Sequence, residues 1–256
     1  MKVPKPSKLA AFSAAIFVSS VAAIFVSNVA TPNSTQGQTH VATPNSTQGQ
    51  NKYPPISEYL MSQDAEIAMA RSAAPPSVSD NATIKVFTES GFEVAIEGDN
   101  GFVCEVTRAW AAPTYTPAEF LNFVYYAPLR APMCFDPAAA QTVMPYYELR
   151  HQLGLEGKGP NEIARGVEAA YTSGELPMRE SVSFAYMWSA DQDLGPGIGA
   201  AFPHMMVFSP YYENSLLGGH EFGGGGHLPF VSDDAGTPFA VTIIPVNHEL
   251  AQSAAM

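Results

Sequence analysis

The stretch TIKVFTESGFEVAIEGDNGFVCEVTRAW, residues 83–110, decides the fold class of this chain. It contains three short runs rich in β-branched and aromatic residues, at 83–88, 92–98 and 102–110, separated by turn residues. Runs of this length and composition, bounded by Gly, Asn, Asp and Ser, are typical of β-strands. The stretch therefore predicts three consecutive strands.

The alternation within these runs predicts how the strands are arranged. Phe92, Val94 and Ile96 alternate with polar or small residues, which is the pattern of a strand with one buried face. Asn100-Gly101 separates the second run from the third, and this dipeptide favours a hairpin turn because both residues tolerate positive φ. We therefore expect a half-buried, antiparallel three-stranded meander.

The rest of the chain predicts helices and further strands. Apolar periodicity over 57–72 indicates an amphipathic helix. Proline after a residue that can cap a helix predicts further helices from Pro117, Pro137 and Pro160. The second of these is expected to restart at Pro145. Strand character returns at three places, namely 182–189, 204–208 and 239–246. The order strands, helices, strands predicts an α+β fold: a mostly antiparallel sheet, made of the N-terminal meander and C-terminal strands, with helices on one face.

Composition and charge exclude some classes of partner. The 256 residues are 46% hydrophobic and 14% charged, which is typical of a globular protein. From Tyr53 onward the chain has 8 basic and 24 acidic residues, a net charge of −16, and no Lys or Arg follows Arg179. Such a field repels nucleic acid, so we expect no nucleic-acid partner. It favours cations or basic partners.

The N-terminal segment predicts export. Three lysines within the first eight residues precede an apolar run at 9–26, the pattern of a secretory signal. Residues 1–28 are expected to be a signal peptide, which places the protein in the periplasm or outside the cell. The alternative is an uncleaved anchor, with 9–26 spanning the membrane as the sole membrane attachment.

A duplicated tether is expected to follow the signal. Residues 29–38 read VATPNSTQGQ and residues 41–50 repeat them letter for letter. This polar sequence with Pro and Gly has no periodic apolar positions, so it cannot build a core. We expect 29–52 to be a disordered linker and 53–256 to be a single α+β domain.

The two cysteines, Cys104 and Cys134, both belong to the part that we expect to be exported. A lone pair in an oxidising compartment favours a disulfide. A Cys/His metal site is the alternative, but two thiols thirty residues apart lack the close spacing of zinc ligands. The sequence therefore predicts a Cys104–Cys134 bridge.

Four stretches carry a resemblance to a known family. They are EIAMARSAAPPSV (66–78), NGFVCEVTRAW (100–110), PMCFDPAA (132–139) and PHMMVF (203–208). The chain from Glu66 to Val246 resembles a family of exported bacterial proteins without assigned activity. The resemblance implies that the domain is a recurring unit and implies nothing about its chemistry.

Arg108 is a candidate ligand-binding residue. Strand alternation places it on the same face as Cys104 and Val106, toward the core. An arginine there needs a carboxylate or a ligand anion, because an unpaired buried charge is strongly unfavourable. Asp136 is one candidate partner, although it is also placed to cap the helix that starts at Pro137.

Histidines in the C-terminal third suggest a metal site. His204 opens a strand, and the loop LLGGHEFGGGGH contains His220, Glu221 and His227. Imidazole and carboxylate groups bind divalent transition metals, although this spacing is not that of the helical H-E-x-x-H motif. These four residues are the metal candidates, and His204 is also a ligand-binding candidate. The alternative is a set of exposed loop histidines and one hydrogen-bonded strand histidine.

No catalytic signature decides whether the chain is an enzyme: there is no G-x-S-x-G, phosphate loop or dinucleotide fingerprint. Tyr211 and Tyr212, in a loop among glycines, are further candidate contact residues. We therefore predict a non-enzymatic exported domain that binds a small molecule, a cation or a protein. The alternative is a metal-dependent or histidine-based hydrolase.

Overall fold

The computed structural model describes residues 55–111, 124–195, 202–219, 228–232 and 234–246. Its strands form one eight-stranded sheet in the order β2-β1-β3-β4-β5-β6-β8-β7, and every neighbouring pair is antiparallel except β1 and β3. The strands are β1 Thr83–Thr88, β2 Gly91–Ile96, β3 Val103–Ala111, β4 Val124–Phe135, β5 Ser183–Met187, β6 His204–Phe208, β7 Phe230–Val231 and β8 Val241–Pro245. The predicted α+β class and mostly antiparallel sheet are confirmed.

The helices pack on the sheet in two groups. They are α1 Gln63–Arg71, α2 Pro76–Ser79, α3 Pro137–Thr142, α4 Met144–Leu155 and α5 Pro160–Ser173, with 3-10 turns at Ile56–Glu58 and Asn214–Leu217. Met133 and Phe135 belong to the large apolar cluster with α3, α4 and α5, whereas Cys134 between them belongs to a smaller cluster with α1 and α2. Because successive strand residues point to opposite faces, α3–α5 cover one face and α1 and α2 add cover to the other.

The central helices begin where the sequence indicates. The Asp136 carboxylate accepts the amide hydrogen of Ala139 at 2.6 Å, which caps α3, and Pro137 occupies its first turn. The helix ends at Thr142 and restarts as α4 with Pro145 in its first turn. The helix expected from Pro117 lies outside the described residues.

The predicted meander is wrong in one connection, because β3 pairs with β1 and not with β2. Thr83 and Ile84 of β1 pair in parallel with Val103 and Cys104 of β3. After β2 the chain passes beneath the start of β1, where the Asp99 amide donates to the Asn81 carbonyl at 3.0 Å. A turn at Asn100-Gly101 does form, with Gly101 at φ +78°, but it directs the chain to the far side of β1.

Gly98 permits this crossing. Its amide donates to Thr83 Oγ1 at 3.1 Å, and a Cβ on Gly98 would lie 2.3 Å from backbone atoms of Ala82 and Thr83. A side chain does not fit at that distance. The Asn100 side chain fixes the following turn by donating to the Val78 carbonyl at 2.8 Å and accepting from the Phe102 amide at 3.0 Å. The short contact at Gly98 therefore helps to set the strand order.

A β-bulge also changes the expected alternation in β2. Ile84 pairs with Ile96, but the next residue, Lys85, pairs with Val94, so Ala95 is the extra residue. As a result Phe92 packs with the large cluster and Ile96 with the small one. The expectation that both side chains share a face is therefore wrong.

Strand β4 is the longest in the described chain, and the sequence pattern does not reveal it. Pro128 and Pro132 interrupt VYYAPLRAPMCF, and proline within a run argues against a central strand. In the structure β4 pairs with β3 over most of its length but with β5 only at Cys134 and Phe135. Both prolines therefore lie where β4 has no strand neighbour on the β5 side, apart from an isolated bridge at Arg130.

The predicted Cys104–Cys134 disulfide is confirmed. The two residues are direct cross-strand partners on β3 and β4, with Cα atoms 3.9 Å apart, and both are fully buried. The bridge lies in the small cluster beside Ile84 and Ala70. It joins the strand that carries Arg108 to the longest strand of the sheet.

Replacing both cysteines with alanine is expected to lower the free energy of unfolding by about 3–4 kcal/mol, because the bridge closes a loop of roughly thirty residues. The loss is measured by denaturant unfolding of the oxidised protein and of the Cys104→Ala/Cys134→Ala variant. Wild-type protein in reducing agent is the control and should lose a similar amount. An unchanged unfolding midpoint in both samples would contradict a stabilising role for the bridge.

Candidate functional site

Arg108 and Glu66 form an ion pair in the interior. Both side chains are fully buried, and Arg108 Nη2 donates to Glu66 Oε1. The pair matches the structural alternative that the sequence raised for Arg108, but the carboxylate comes from α1 and not from Asp136. Glu66 lies in a helix that sequence periodicity predicted, yet nothing in the sequence links it to Arg108.

Backbone groups complete the surroundings of the Arg108 guanidinium. Its Nε and Nη2 atoms donate to the Val106 carbonyl at 3.2 and 3.1 Å, and Nη1 donates to the Tyr59 carbonyl at 3.2 Å. The guanidinium carbon lies 5.2 Å from the centroid of the Phe87 ring, a cation–π contact. Burial lowers the pKa of Arg108, while the neighbouring Glu66 opposes that shift. These contacts use the donors of Arg108 within the fold.

Glu66 also links α1 to the sheet. Its Oε1 atom accepts the backbone amide hydrogen of Phe87 at 2.8 Å. The pairing of β1 with β3 ends at Ile84 and Cys104, before Phe87 is reached. The glutamate therefore satisfies a strand amide at the point where β1 and β3 no longer pair. The Glu66 carboxylate therefore binds β1 through Phe87 and β3 through Arg108.

His151 of α4 packs against the backbone of Arg108. Its Nδ1 and Nε2 atoms lie 2.7 Å from the Tyr147 carbonyl oxygen and 2.9 Å from the Arg108 carbonyl oxygen, and the Phe87 and Phe92 rings flank the imidazole. Burial lowers the pKa of His151 to about 3, so the ring is neutral in ordinary buffers. Nothing in the sequence marks this residue, because a histidine on an apolar helix face belongs to no motif.

A second charged group lies on the α4 side of the sheet. Lys85 and Glu105 directly follow the paired residues Ile84 and Cys104, so they lie beside each other on one face. Lys85 forms an ion pair with Glu148 of α4. Glu105 is fully buried, and neither of its carboxyl oxygens has a hydrogen-bond partner within the described part of the chain. Burial raises the pKa of Glu105 well above its usual value, and the nearby Glu148 adds to the shift.

The structure places one of the four metal candidates. His204 is buried at the start of β6, where its Nδ1 atom lies 2.8 Å from the Phe202 carbonyl oxygen, and burial lowers its pKa. His220, Glu221 and His227 lie outside the described residues. Over the ranges that the structure describes, no group of three or more His, Cys, Asp or Glu side chains is arranged to hold a metal ion.

Tyr211 and Tyr212 are exposed, as expected for contact residues. Tyr211 is 65% exposed and has φ +64°, a left-handed conformation that is uncommon for a residue with a side chain. Its amide donates to the Thr237 carbonyl at 2.8 Å, and the Gly236 amide donates to the Tyr212 carbonyl at 2.8 Å. The loop before β8 thus holds both tyrosines in place.

Other exposed apolar side chains lie at the same end of the sheet. Ser183 of β5 pairs with Phe208 of β6, which pairs with Val241 of β8, so residues flanking these positions share one end. Val182 precedes Ser183, and Leu216 lies in the 3-10 turn that Asn214 ties to β7. We call the following group the apolar end: Met178, Val182, Tyr211, Tyr212 and Leu216, which are 40–65% exposed.

Buried Arg179 anchors the segment that carries Met178. Its Nη1 atom donates to the Phe239 carbonyl at 3.2 Å, and its guanidinium carbon lies 4.9 Å from the Phe208 ring centroid and 5.7 Å from that of Phe239. The segment therefore packs against the ends of β6 and the loop before β8. It brings Met178 and Val182 to the same end as the tyrosines.

In comparisons with known proteins, no family model, curated protein or solved structure matches this chain. The family resemblance therefore stays an expectation. In the described part of the chain, no helix has both the length and the apolar character needed to cross a membrane.

Removing either member of the Glu66–Arg108 pair is expected to destabilise the fold by about 3–5 kcal/mol, because the remaining charge stays buried without its partner. Glu66→Gln and Arg108→Met are compared with wild type by denaturant unfolding. The double variant should lose clearly less than the sum of the two single losses. Glu168→Gln, at an exposed position of α5, is the control and should change stability little. Additive losses would contradict direct coupling.

His151 is expected to make the fold sensitive to acid. Its folded-state pKa lies below the unfolded value of about 6.5, so its contribution is complete above that pH and is lost as the pH falls toward about 3. The slope contributed by this residue approaches roughly 1.4 kcal/mol per pH unit. Unfolding free energies of wild type and His151→Gln, measured across this range, should converge at acid pH. Parallel curves would show that the imidazole takes no part.

Proposed function

We propose that the chain is a non-enzymatic, exported binding domain whose apolar end docks a basic protein partner. The observation that carries this proposal is the distribution of exposed apolar side chains. Five of the seven large hydrophobic residues that are exposed in the described chain belong to the apolar end; the other two are Val94 and Leu228. Single exposed apolar residues are normal, but a group of them is typical of an interaction surface.

The side-chain types support a protein partner. Tyrosine is enriched among the residues that dominate binding energy at protein interfaces, because its rigid ring buries a large area and its hydroxyl can hydrogen-bond. Backbone hydrogen bonds at Tyr211 and Tyr212 fix the loop, so its backbone entropy is already partly lost before a partner binds. The left-handed backbone at Tyr211 also favours a contact role, because such conformations concentrate at functional sites.

The charge at the apolar end favours a basic partner. Glu175, Glu180 and Glu213 are exposed in the same segments, and the sequence has no Lys or Arg after Arg179. Arg179 itself is buried against Phe208 and Phe239 and offers no charge to the surface. An acidic rim around tyrosines attracts lysine and arginine side chains through both charge and cation–π contacts.

The N-terminal segment determines the proposed location of this binding domain. A signal over residues 1–28 would export the domain, and the duplicated tether at 29–52 would separate it from a membrane if the signal stays uncleaved. The disulfide in the described domain supports an oxidising compartment. Docking would then occur in the periplasm or outside the cell.

Random peptides displayed on phage provide a defined probe. They are selected on the immobilised domain and counter-selected on a Tyr211→Ser/Leu216→Ser variant. We expect enriched peptides to be rich in Lys and Arg and to bind Tyr211→Ser at least about tenfold more weakly than wild type, as for an interface hot spot. Their affinity should also fall as the salt concentration rises.

Val94→Ser is the matched control, because Val94 is 48% exposed but lies on β2 at the opposite edge of the sheet. This variant should bind the enriched peptides as wild type does. The proposal is wrong if enriched peptides bind wild type and Tyr211→Ser equally well, or if no peptide distinguishes wild type from the double variant. Unchanged unfolding midpoints in the variants exclude loss of folding as the cause.

A further inference from the structure

Glu105 places a buried carboxyl group in a central strand of the sheet. β3 lies between β1 and β4, and Glu105 pairs there with Met133, an uncharged neighbour. The side chain is fully buried, and both oxygens lack a hydrogen-bond partner in the described part of the chain. A charged carboxylate in such surroundings is strongly unfavourable, so burial favours the protonated acid.

The ammonium group of Lys85, on the neighbouring strand, could neutralise Glu105, but it is already paired with Glu148. Lys85 pairs with Glu148, and both are largely screened from water, with 15% and 29% of their side chains exposed. Glu148 is the more exposed of the two carboxylates near Lys85, so water can solvate it if the pair opens. Water can therefore replace Lys85 as the partner of Glu148, whereas it cannot reach a charged Glu105.

We propose that Glu105 is a buried proton-binding site, and that loss of its proton transfers the Lys85 ammonium from Glu148 to Glu105. In this step the O–H bond of the Glu105 carboxyl breaks, its proton passes to solvent and the carboxylate keeps the electron pair. The ammonium then neutralises the new buried charge. Because Glu148 belongs to α4 and Lys85 to β1, the transfer releases this link between the helix and the sheet.

The charged groups around Glu105 set the direction of the response. Glu148 from α4 and Glu66 from α1 disfavour a second negative charge, whereas Lys85 from β1 and Arg108 from β3 itself favour it. Arg108 remains paired with Glu66, so only Lys85 is free to change partner. His151 of α4 stays neutral and adds no charge in this range. Glu105 therefore loses its proton at a higher pH than an exposed glutamate does.

The contribution of Glu105 to folding stability falls as the pH rises. Glu105 holds its proton to higher pH in the folded chain than in the unfolded chain, so its contribution is complete below the unfolded pKa and declines as the pH rises through the folded one. This is opposite to the effect of His151. Replacing Glu105 with glutamine, which has the same shape and no charge, removes the decline.

Infrared difference spectroscopy of the whole chain tests the site directly. At neutral pH the wild type should show the carbonyl band of a protonated carboxylic acid in a dry environment, which disappears as the pH rises. Glu105→Gln should lack this band. In the same titration the ¹⁵N resonance of the Lys85 ammonium should shift with the midpoint of the band in wild type and should not shift in Glu105→Gln.

Glu148→Gln supplies the second variant. It removes both the competing partner of Lys85 and the repulsion on Glu105, so the carboxylic acid band should disappear at lower pH than in wild type. After correction for the intrinsic pH dependence of exchange, amide protection in α4 should fall as the acid band disappears in wild type and should not fall in Glu105→Gln. If no buried acid band at neutral pH depends on Glu105, the proton site is refuted. If the band titrates while the Lys85 resonance stays fixed, the transfer of Lys85 is refuted.

Discussion

The Glu66 carboxylate and the Arg108 guanidinium meet inside the sheet, where neither reaches water. Two charges in this position require close pairing, and groups from different elements supply it. Among the described residues Glu66 Oε1 is hydrogen-bonded, whereas its Oε2 atom has no partner. Glu66 comes from α1, and its oxygen also holds the Phe87 amide of β1, while Arg108 comes from β3 and also holds the Tyr59 carbonyl. The pair thus fixes α1, β1 and β3 relative to one another at the place where the parallel ladder stops.

This constraint explains why the two sides of β3 are stabilised differently. Toward β1 the strand has only two registered pairs, Thr83–Val103 and Ile84–Cys104, and side chains complete the contact. Toward β4 it has a long antiparallel ladder, a disulfide at Cys104–Cys134 and backbone pairing past the bulge near Arg108. Helices then cover both faces, so all residues from Cys104 to Arg108 are buried. An ionisable residue in that run either has a partner within the protein, as Arg108 has in Glu66, or is favoured in its neutral form, as Glu105 is.

Much of this fold follows from local sequence, and the parts that do not are long-range. Strands β1 and β6, the cap at Asp136, the restart of the helix at Pro145 and the disulfide are predictable, because each depends on nearby residues or on a unique pair. The parallel placement of β3 depends on a close contact between Gly98 and a strand start, which periodicity cannot reveal. The same holds for the candidate site: alternation placed Arg108 toward the core, but it could not identify Glu66, Glu105 or His151. The exposure of Tyr211 and Tyr212 could be predicted from the sequence, because glycines and a polar loop indicate an exposed segment.

The buried charges and the apolar end lie in different parts of the chain and are under different physical constraints. Around β3 the charges of Arg108 and Lys85 are balanced by Glu66 and Glu148, so a substitution there acts first on stability. At the apolar end the exposed side chains are supported by backbone hydrogen bonds from the loop before β8, so Tyr211 or Leu216 can change without disturbing a core contact. Surfaces of this kind can diverge while the fold persists. A partner-binding role located there is therefore compatible with a scaffold whose interior is as tightly specified as that around Arg108.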